Sequence, residues 1–418
     1  MNRLAEKNVL ILEPHAVGHH GPYLRWIAGG LIERGLDVTV VTLPESLIHP
    51  SVQTIHETLK AEDRERLKII KSASGVPGDL GSLRGKVSLA KREFGYWSLF
   101  RAWYKEYAPA ARPSVVFLPY LDYCFYAIGL LGSPFGNSPW AGIAMRPSFH
   151  YPELGIIAPR PSLASLKKAL FFRVLRNRSL RCLLTIDEPL REFLAKTEYS
   201  EKAVFLPEPA KMSSLPGSQD AKRRLGLPLD RKLILVYGAI TERKGLPELL
   251  HAVMEAAFPQ SVDVLVAGRI SPEIDKFLSC PRMEKLIAQG RIRLFNRFID
   301  TVEEPFLFAA ADIVWLGYRK HYGSSGVLAQ AASARRPVIS CEEGVLGWQT
   351  RRHSLGAVID VEDPALVADT VSRTLAQPKG DTGIFDPPDY SDALQIVVGA
   401  IGLGDIHSPG KYPSLSDT

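Results

Sequence analysis

Cysteine is scarce in this chain and badly placed for chemistry: Cys124, Cys182, Cys280 and Cys341 stand far apart, with no Cys-x-x-Cys pair and no histidine at metal-ligand spacing. That excludes a disulfide scaffold and a zinc-ribbon site, and predicts reduced, mostly buried thiols in a cytoplasmic protein. No apolar run is long enough to span a bilayer, and the charged stretch Met1 to Lys7 leads directly into a strand, so neither a membrane span nor a signal peptide is expected. Short-period repeats are absent. The basic residues come with no nucleic-acid-binding motif and no aromatic stacking platform, which argues against nucleic acid as a partner.

What is present has the composition of a folded enzyme: 46% hydrophobic and 23% charged residues over 418 positions, too many for one ordinary core and suited to two domains. The formal charge of +6 is uneven. Residues 1–220 hold 28 Lys and Arg against 21 Asp and Glu, leaving 23 against 24, so the first part is near +7 and the rest near −1. Seven of those cations fall between Arg160 and Arg181, with no acid and with Leu163, Leu166, Leu170, Phe171, Phe172, Val174 and Leu175 interleaved. Such a helix can rest on anionic lipid, or simply bury one face under a solvated basic rim.

Short apolar runs alternate with helical patterns along the chain. Val9 to Leu12, Val38 to Val41, Val115 to Leu118, Ala141 to Met145 and Cys182 to Ile186 read as strands. Tyr23 to Ile32 and Lys91 to Tyr107 read as helices, with a loop at Ser72 to Ser82. A second series begins at Leu233 to Tyr237 and continues through strands at Val262 to Ala267, Ile292 to Phe295, Ile313 to Leu316 and Pro337 to Cys341. Helices are predicted over Leu246 to Ala257, Glu273 to Gln289 and Ser325 to Ala334. The expected architecture is α/β, with two Rossmann-like domains facing a cleft: 1–208, a linker at 209–230, and 231–385. A final segment, 386–418, supplies one helix and a disordered tail from Ser408 to Thr418.

The most informative residues lie at two strand-to-helix junctions of the second series. Tyr237-Gly238 runs into Arg243-Lys244-Gly245, and Tyr322-Gly323-Ser324-Ser325-Gly326 opens a helix. Backbone N–H groups at a helix start, a fixed cation and glycines that let a ligand approach are what a diphosphate needs. The ordered set Tyr237 to Gly245, Val264 to Gly268, Ala309 to Val314 and Ala331 to Ile339 resembles the donor-binding half of GT-B glycosyltransferases, of the retaining, glycogen-synthase-like group 1 kind. The resemblance covers about 130 residues. It implies a nucleotide-sugar donor held by the second domain, a glycan, lipid-linked or small-molecule acceptor held by the first, no cofactor and no essential metal. The setting it implies is cytoplasmic assembly of bacterial polysaccharide or glycoconjugate, with retention of configuration ahead of inversion.

Carried over by position, Lys244 matches the lysine that neutralises the donor diphosphate, with Gly238 and Gly268 beside it. The family's arginine after the glycine is Ala239 here, and Arg243 can supply the charge instead. The family's two glutamates fall on Tyr322 and Gln330, so both carboxylates are replaced. Gln330 can still bond a ribose hydroxyl, and Gly323, Ser324, Ser325 and Gly326 remain suited to phosphate. In the first domain, His15, His19 and His20 follow the first strand around Gly18 and Gly21, on the side where open α/β sheets bind ligands. They can position or deprotonate an acceptor hydroxyl, or cap the following helix and face water. Asp122 and Arg146 follow later strands: Asp122 either orients an acceptor or caps a helix, and Arg146 suits a phosphate or carboxylate. Glu208 reads as a hinge residue, and Asp187 with Glu188 as helix caps. Two other functions fit the same pattern, a catalytically degenerate GT-B-shaped binding subunit and a GT-B nucleotide-sugar epimerase.

Overall fold

The computed structural model describes residues 7–73, 86–210, 215–377 and 387–403, with side chains from 89 onward in the second stretch. The remainder of the expected loop at Ser72 to Ser82 and the expected tail from Ser408 to Thr418 lie outside the described residues. Contacts divide the chain into two units, one of residues 1–154, 159–207 and 390–418, the other of residues 155–158 and 208–389.

The first unit contains β1 (Asn8–Leu12), β2 (Asp37–Thr42), β3 (Leu67–Lys71), β4 (Val115–Leu118), β5 (Trp140–Ala144), β6 (Leu180–Thr185) and β7 (Ala203–Phe205) in a parallel sheet of order β3-β2-β1-β4-β5-β6-β7. Parallel strands are covered by helices on both faces, so they read as continuous apolar runs. In β1, Leu10 and Leu12 join one core with Phe100, Trp103 and Trp140, while Val9 and Ile11 join the other with Ile27 and Leu31. Leu67-Lys-Ile-Ile-Lys71 forms an edge strand that the sequence pattern missed, because Lys68 and Lys71 in so short a run look like loop. The predicted helix at Lys91 to Tyr107 is longer, Lys86–Ala111.

The second unit contains β8 (Lys232–Tyr237), β9 (Val262–Ala267), β10 (Ile292–Phe295), β11 (Ile313–Leu316), β12 (Val338–Cys341) and β13 (Gly356–Ile359), all parallel, in the order β10-β9-β8-β11-β12-β13. The helix expected over Glu273 to Gln289 is two, Pro272–Leu278 and Pro281–Ala288, since Pro281 cannot continue the first. The stretch expected as a linker, 209–230, is part of this unit: it carries the helix Ser218–Arg224, and Ala221 and Leu227 lie in the core. Residues 155–158 also belong here, with the Gly344 N–H donating to the Ile157 carbonyl at 2.8 Å.

The last described helix, Tyr390–Ala400, returns to the first unit. Ala393, Leu394, Ile396 and Val397 enter the core that contains Ile27 and Leu31. Trp26 Nε1 donates to the Tyr390 carbonyl at 3.0 Å, and Arg34 donates to the Ser391 carbonyl at 3.0 Å. Gly30 is the contact point, because a Cβ there would sit 2.1 Å from Leu394 Cδ2. Gly30→Val is therefore expected to cost about 1–3 kcal/mol by overpacking. In a urea-unfolding double-mutant cycle, adding Leu394→Ala should recover part of that loss, and a neutral Gly30→Val would contradict this docking.

Candidate functional site

In each sheet the chain order reverses once, between β1 and β4 and between β8 and β11, and a gap opens there at the carboxyl ends of the strands. Lys244 and Ser325 lie at one of these gaps and His20 at the other.

In the second unit, the loop after β8 reaches the helix Leu246–Val253 through a tight turn at 242–244. Gly238 has φ +100°, and a Cβ there would stand 3.4 Å from Lys244 Nζ, so the missing side chain leaves space over the ammonium. Gly245, at φ +63°, has no alternative, since its Cβ would meet the Gly317 carbonyl oxygen at 1.8 Å. Trp315 Nε1 donates to the Gly245 carbonyl at 3.0 Å and to that of Lys244 at 3.2 Å, fixing the turn against β11. Lys244 is only 5% exposed, and its ammonium donates to the Tyr318 hydroxyl. Ser325 Oγ in turn donates to Tyr318 at 3.3 Å. One chain of polar atoms thus joins Lys244, just ahead of one helix, to the N-cap residue of the helix Gly326–Ser333. Gly268, at φ +141°, packs against the Gly238 carbonyl.

The other predicted residues of this unit occupy distinct places. Arg243 is exposed on the same turn, and its carbonyl accepts from the Arg319 N–H at 2.8 Å. His321 bonds the Ser324 carbonyl at 2.9 Å across Gly323. Gln330 donates to Glu304, which also accepts from the Tyr237 hydroxyl at 2.6 Å, so a carboxylate stands beside Gln330. Tyr322 lines a separate cavity of about 370 Å³ with Lys320, Glu343 and Asp360. Glu208, read as a hinge, packs its Oε2 against Gly326, where a Cβ would be 2.5 Å away, and burial pushes its carboxyl up to about 7. Sequence reasoning missed Tyr318 and Glu304. The hydroxyl of Tyr318, two residues past β11, was the available signal.

In the first unit, β1 is followed at once by Glu13, which is fully buried. A buried carboxylate costs several kcal/mol unless it is bonded. Glu13 accepts from the His15 N–H at 3.1 Å and from the Tyr123 hydroxyl at 2.8 Å, and its other oxygen lies 3.4 Å from His20 Nδ1. His15 Nε2 pairs with the Tyr96 hydroxyl at 2.7 Å. His19 stacks on His20 at 4.3 Å, and burial followed by the neighbouring His20 and Arg146 charges lowers it to about 4, so it is neutral at physiological pH. None of these side chains caps the helix His20–Glu33. Gly18 is required by φ +70°, whereas Gly21 makes room for Ala16 and Ser51 of the protein itself rather than for a ligand.

His20, Tyr96, Tyr120, Asp122, Tyr123 and Arg146 line one cavity of about 370 Å³. Asp122 caps no helix: its two oxygens accept from the N–H groups of Met145 at 2.7 Å and Arg146 at 3.1 Å, tying the turn after β4 to the end of β5. The Arg146 guanidinium lies over the Tyr120 ring at 5.6 Å. Asp187, in contrast, caps the helix Glu188–Leu194 as expected, accepting from the Leu190 N–H. Among the described residues no group of His, Cys, Asp or Glu side chains is arranged to hold a metal ion. Nor is any helix long and apolar enough to cross a membrane.

Residues 231–377 match the model of the family Glycosyl transferases group 1. Curated relatives include the D-inositol 3-phosphate glycosyltransferases of Thermomonospora curvata, 31% identical over 170 residues, and of Corynebacterium efficiens, 31% identical over 170 residues. These alignments take in 39% and 38% of the chain and the same shares of each relative, so the chain spans about two fifths of the length of the curated relatives it matches. Among solved structures, sucrose-phosphate synthase from Thermosynechococcus elongatus shares the fold at TM-score 0.61 and 18% identity, covering 95% of this chain and 96% of that one. Anabaena HepE in complex with UDP and glucose does so at TM-score 0.56 and 14% identity, covering 94% and 99%. The fold is GT-B.

Two carboxyls by the first-unit cavity are raised by burial, Asp122 to about 6 and Glu93 to about 7. Each holds its proton more tightly in the folded chain than in the unfolded one. Their contribution to stability is therefore present below the ordinary carboxylate range and is lost as pH rises through about 6 and 7. Glu93→Gln should flatten the decline of stability between about pH 5 and 7, measured by urea unfolding across that range.

Proposed function

We propose that this chain, a GT-B protein whose second unit carries a Glycosyl transferases group 1 segment, moves a sugar from a nucleoside-diphosphate donor to an acceptor held by its first unit. The observation that carries the reading is Lys244, a buried lysine whose ammonium is fixed by Tyr318 under the open face of Gly238. A cation set there before the reaction stabilises charge as it develops on the departing diphosphate, without reorganising. Arg243, on the same turn, and the N–H groups from Ser324 to Gly326 complete the anion cradle. Gln330, with Glu304 behind it, bonds the ribose, and Tyr322 stands on the sugar side. The donor is a substrate, and the reading assigns no cofactor and no metal. HepE is described in complex with UDP and with UDP-glucose, which supports a nucleotide-sugar donor.

The group 1 resemblance supports retention of configuration. One observation favours a second reading. The single Tyr123 hydroxyl proton goes to Glu13, so His20 Nδ1, 3.1 Å from the Tyr123 oxygen and 3.4 Å from Glu13, must be the protonated nitrogen. A neutral His20 then keeps its Nε2 lone pair, on a residue that lines the cavity, where it can take the proton of an acceptor hydroxyl as that oxygen attacks the anomeric carbon. Direct attack of that kind inverts the configuration.

The four cysteines are free thiols, which suits a reducing cytoplasmic setting. A peripheral membrane contact fits the helix Ala164–Leu175, where Leu163 and Leu166 are 64% and 52% exposed beside Lys167 and Lys168.

Incubation with a panel of nucleotide sugars and of glycan, lipid-linked and small-molecule acceptors, followed by mass analysis and NMR of the new anomeric linkage, tests these readings together. Transfer should occur in the wild type and fall about 100-fold or more in kcat/KM for Lys244→Ala. Undiminished transfer by that variant would sink the assigned donor site. Donor consumed with no acceptor modified would favour an epimerase or hydrolase, and UDP binding without turnover would favour a binding subunit. An inverted linkage lost in His20→Gln selects the histidine base, and a retained one removes it.

A further inference from the structure

A carboxyl group stands at the anion cradle of the second unit. Glu208 lies between Pro207 and Pro209, and the chain just after it is tied down by the Ala210 N–H, which donates to the Pro388 carbonyl at 3.2 Å. Its Oε2 faces Gly326, the first residue of the helix Gly326–Ser333, so closely that a Cβ on that glycine would lie 2.5 Å away. Gly326 is therefore required by this carboxyl before any ligand is considered. The N-cap residue Ser325 makes no side-chain cap bond, which leaves the positive end of the helix to other acceptors. Glu208 itself has no hydrogen-bond or ion-pair partner among the described residues, and burial alone shifts its pKa, up to about 7. The helix it abuts holds no titratable side chain. Beyond Ser325 stand Tyr318 and Lys244, with Arg243 on the turn of Lys244, His321 on the Ser324 carbonyl, Glu304 beside Gln330 and Asp389 after Pro388. None of these pairs with Glu208.

We propose that Glu208 is a proton-linked gate on the donor cradle: its carboxylate occupies the start of the helix Gly326–Ser333 while the cradle is empty, and a nucleotide sugar binds with Glu208 protonated, the carboxyl O–H donating to a phosphate oxygen. The cradle rests on the donor-site reading above; the proton linkage is additional to it. Two anions cannot share one helix start without one of them holding a proton more tightly. The diphosphate of a nucleotide sugar has no terminal phosphate to accept that proton near neutrality, so the carboxyl takes it from solvent, one per donor bound. A neutral carboxylic acid is then useful where it stands, since it donates a hydrogen bond to an oxygen that gathers charge as the diphosphate departs. The direction of the pH effect follows. Glu208 has a higher pKa in the complex than in the empty protein, so donor affinity is full below the value of about 7 and declines as pH rises above it, by up to about tenfold per pH unit.

The test is calorimetric titration of the full chain with UDP-, GDP-, ADP- and TDP-glucose, in pairs of buffers that differ in ionisation heat and so count the protons taken up on binding. For the tightest of the four, uptake should be about half a proton or more per molecule bound near pH 8 and close to none near pH 6, with affinity about tenfold lower at the higher pH. Glu208→Gln should take up no proton and keep the low-pH affinity throughout, because an amide N–H donates to phosphate without titrating. Glu208→Ala should also take up none but bind more weakly than Glu208→Gln at every pH. A merely structural glutamate would weaken both variants alike and leave the proton count of the wild type near zero. Binding by the wild type without uptake near pH 8, or uptake that persists in either variant, overturns the gate and leaves the donor site standing. No binding of any of the four sugar nucleotides takes down the donor-site reading, and the gate with it. The wild-type proton count decides between these outcomes even where a variant fails to fold.

Discussion

Everything chemical in this protein depends on one topological constraint met twice. A parallel sheet built outward from its first strand must at some point continue on that strand's other side, and the loops leaving the two central strands then part rather than run together. In the second unit the parted loops are those after β8 and β11, and in the first those after β1 and β4. In each gap side chains of the two parted loops meet. Each is spanned by a short polar chain, Lys244 to Tyr318 to Ser325 in one and His20 to Tyr123 to Glu13 in the other.

The two gaps solve opposite electrostatic problems. In the second unit a cation is withdrawn from water and held by a neutral hydroxyl, so its charge stays available to a ligand. In the first unit the withdrawn charge is the carboxylate of Glu13, and its field is spent on protein donors. Burial also drives His19 toward neutrality and the Tyr120 phenol up to about 12, so these two rings stay uncharged. A wall of neutral rings can carry cations on its faces without quenching them, which is how Arg146 and Lys167 are held.

The parts legible in the sequence were those that repeat a local rule. Buried parallel strands announce themselves as runs such as Val9 to Leu12 and Leu233 to Val236, and the glycines around Lys244 mark turns that other residues cannot make. What stayed hidden was partnership across distance. Nothing near position 13 says that its carboxylate will meet Tyr123, and nothing near Gln330 says that Glu304 will stand beside it. Gly21 shows the limit from the other side: a glycine in a ligand-binding loop looks functional, yet this one is needed because Ser51 of the neighbouring helix occupies the space. β3 was obscured by its edge position, where Lys68 and Lys71 carry a surface signal.

The helix Tyr390–Ala400 makes the first unit discontinuous in the chain, since the core behind β1 closes only when Leu394 settles against Gly30. During synthesis the amino-terminal unit therefore emerges first but is completed last, after the whole of the second unit has left the ribosome. For that interval the side of this core that Ala393, Leu394, Ile396 and Val397 later close lacks its cover. A stop codon or protease cut shortly before residue 390 would spare every residue of both cavities and still injure the half of the molecule farthest from it in sequence.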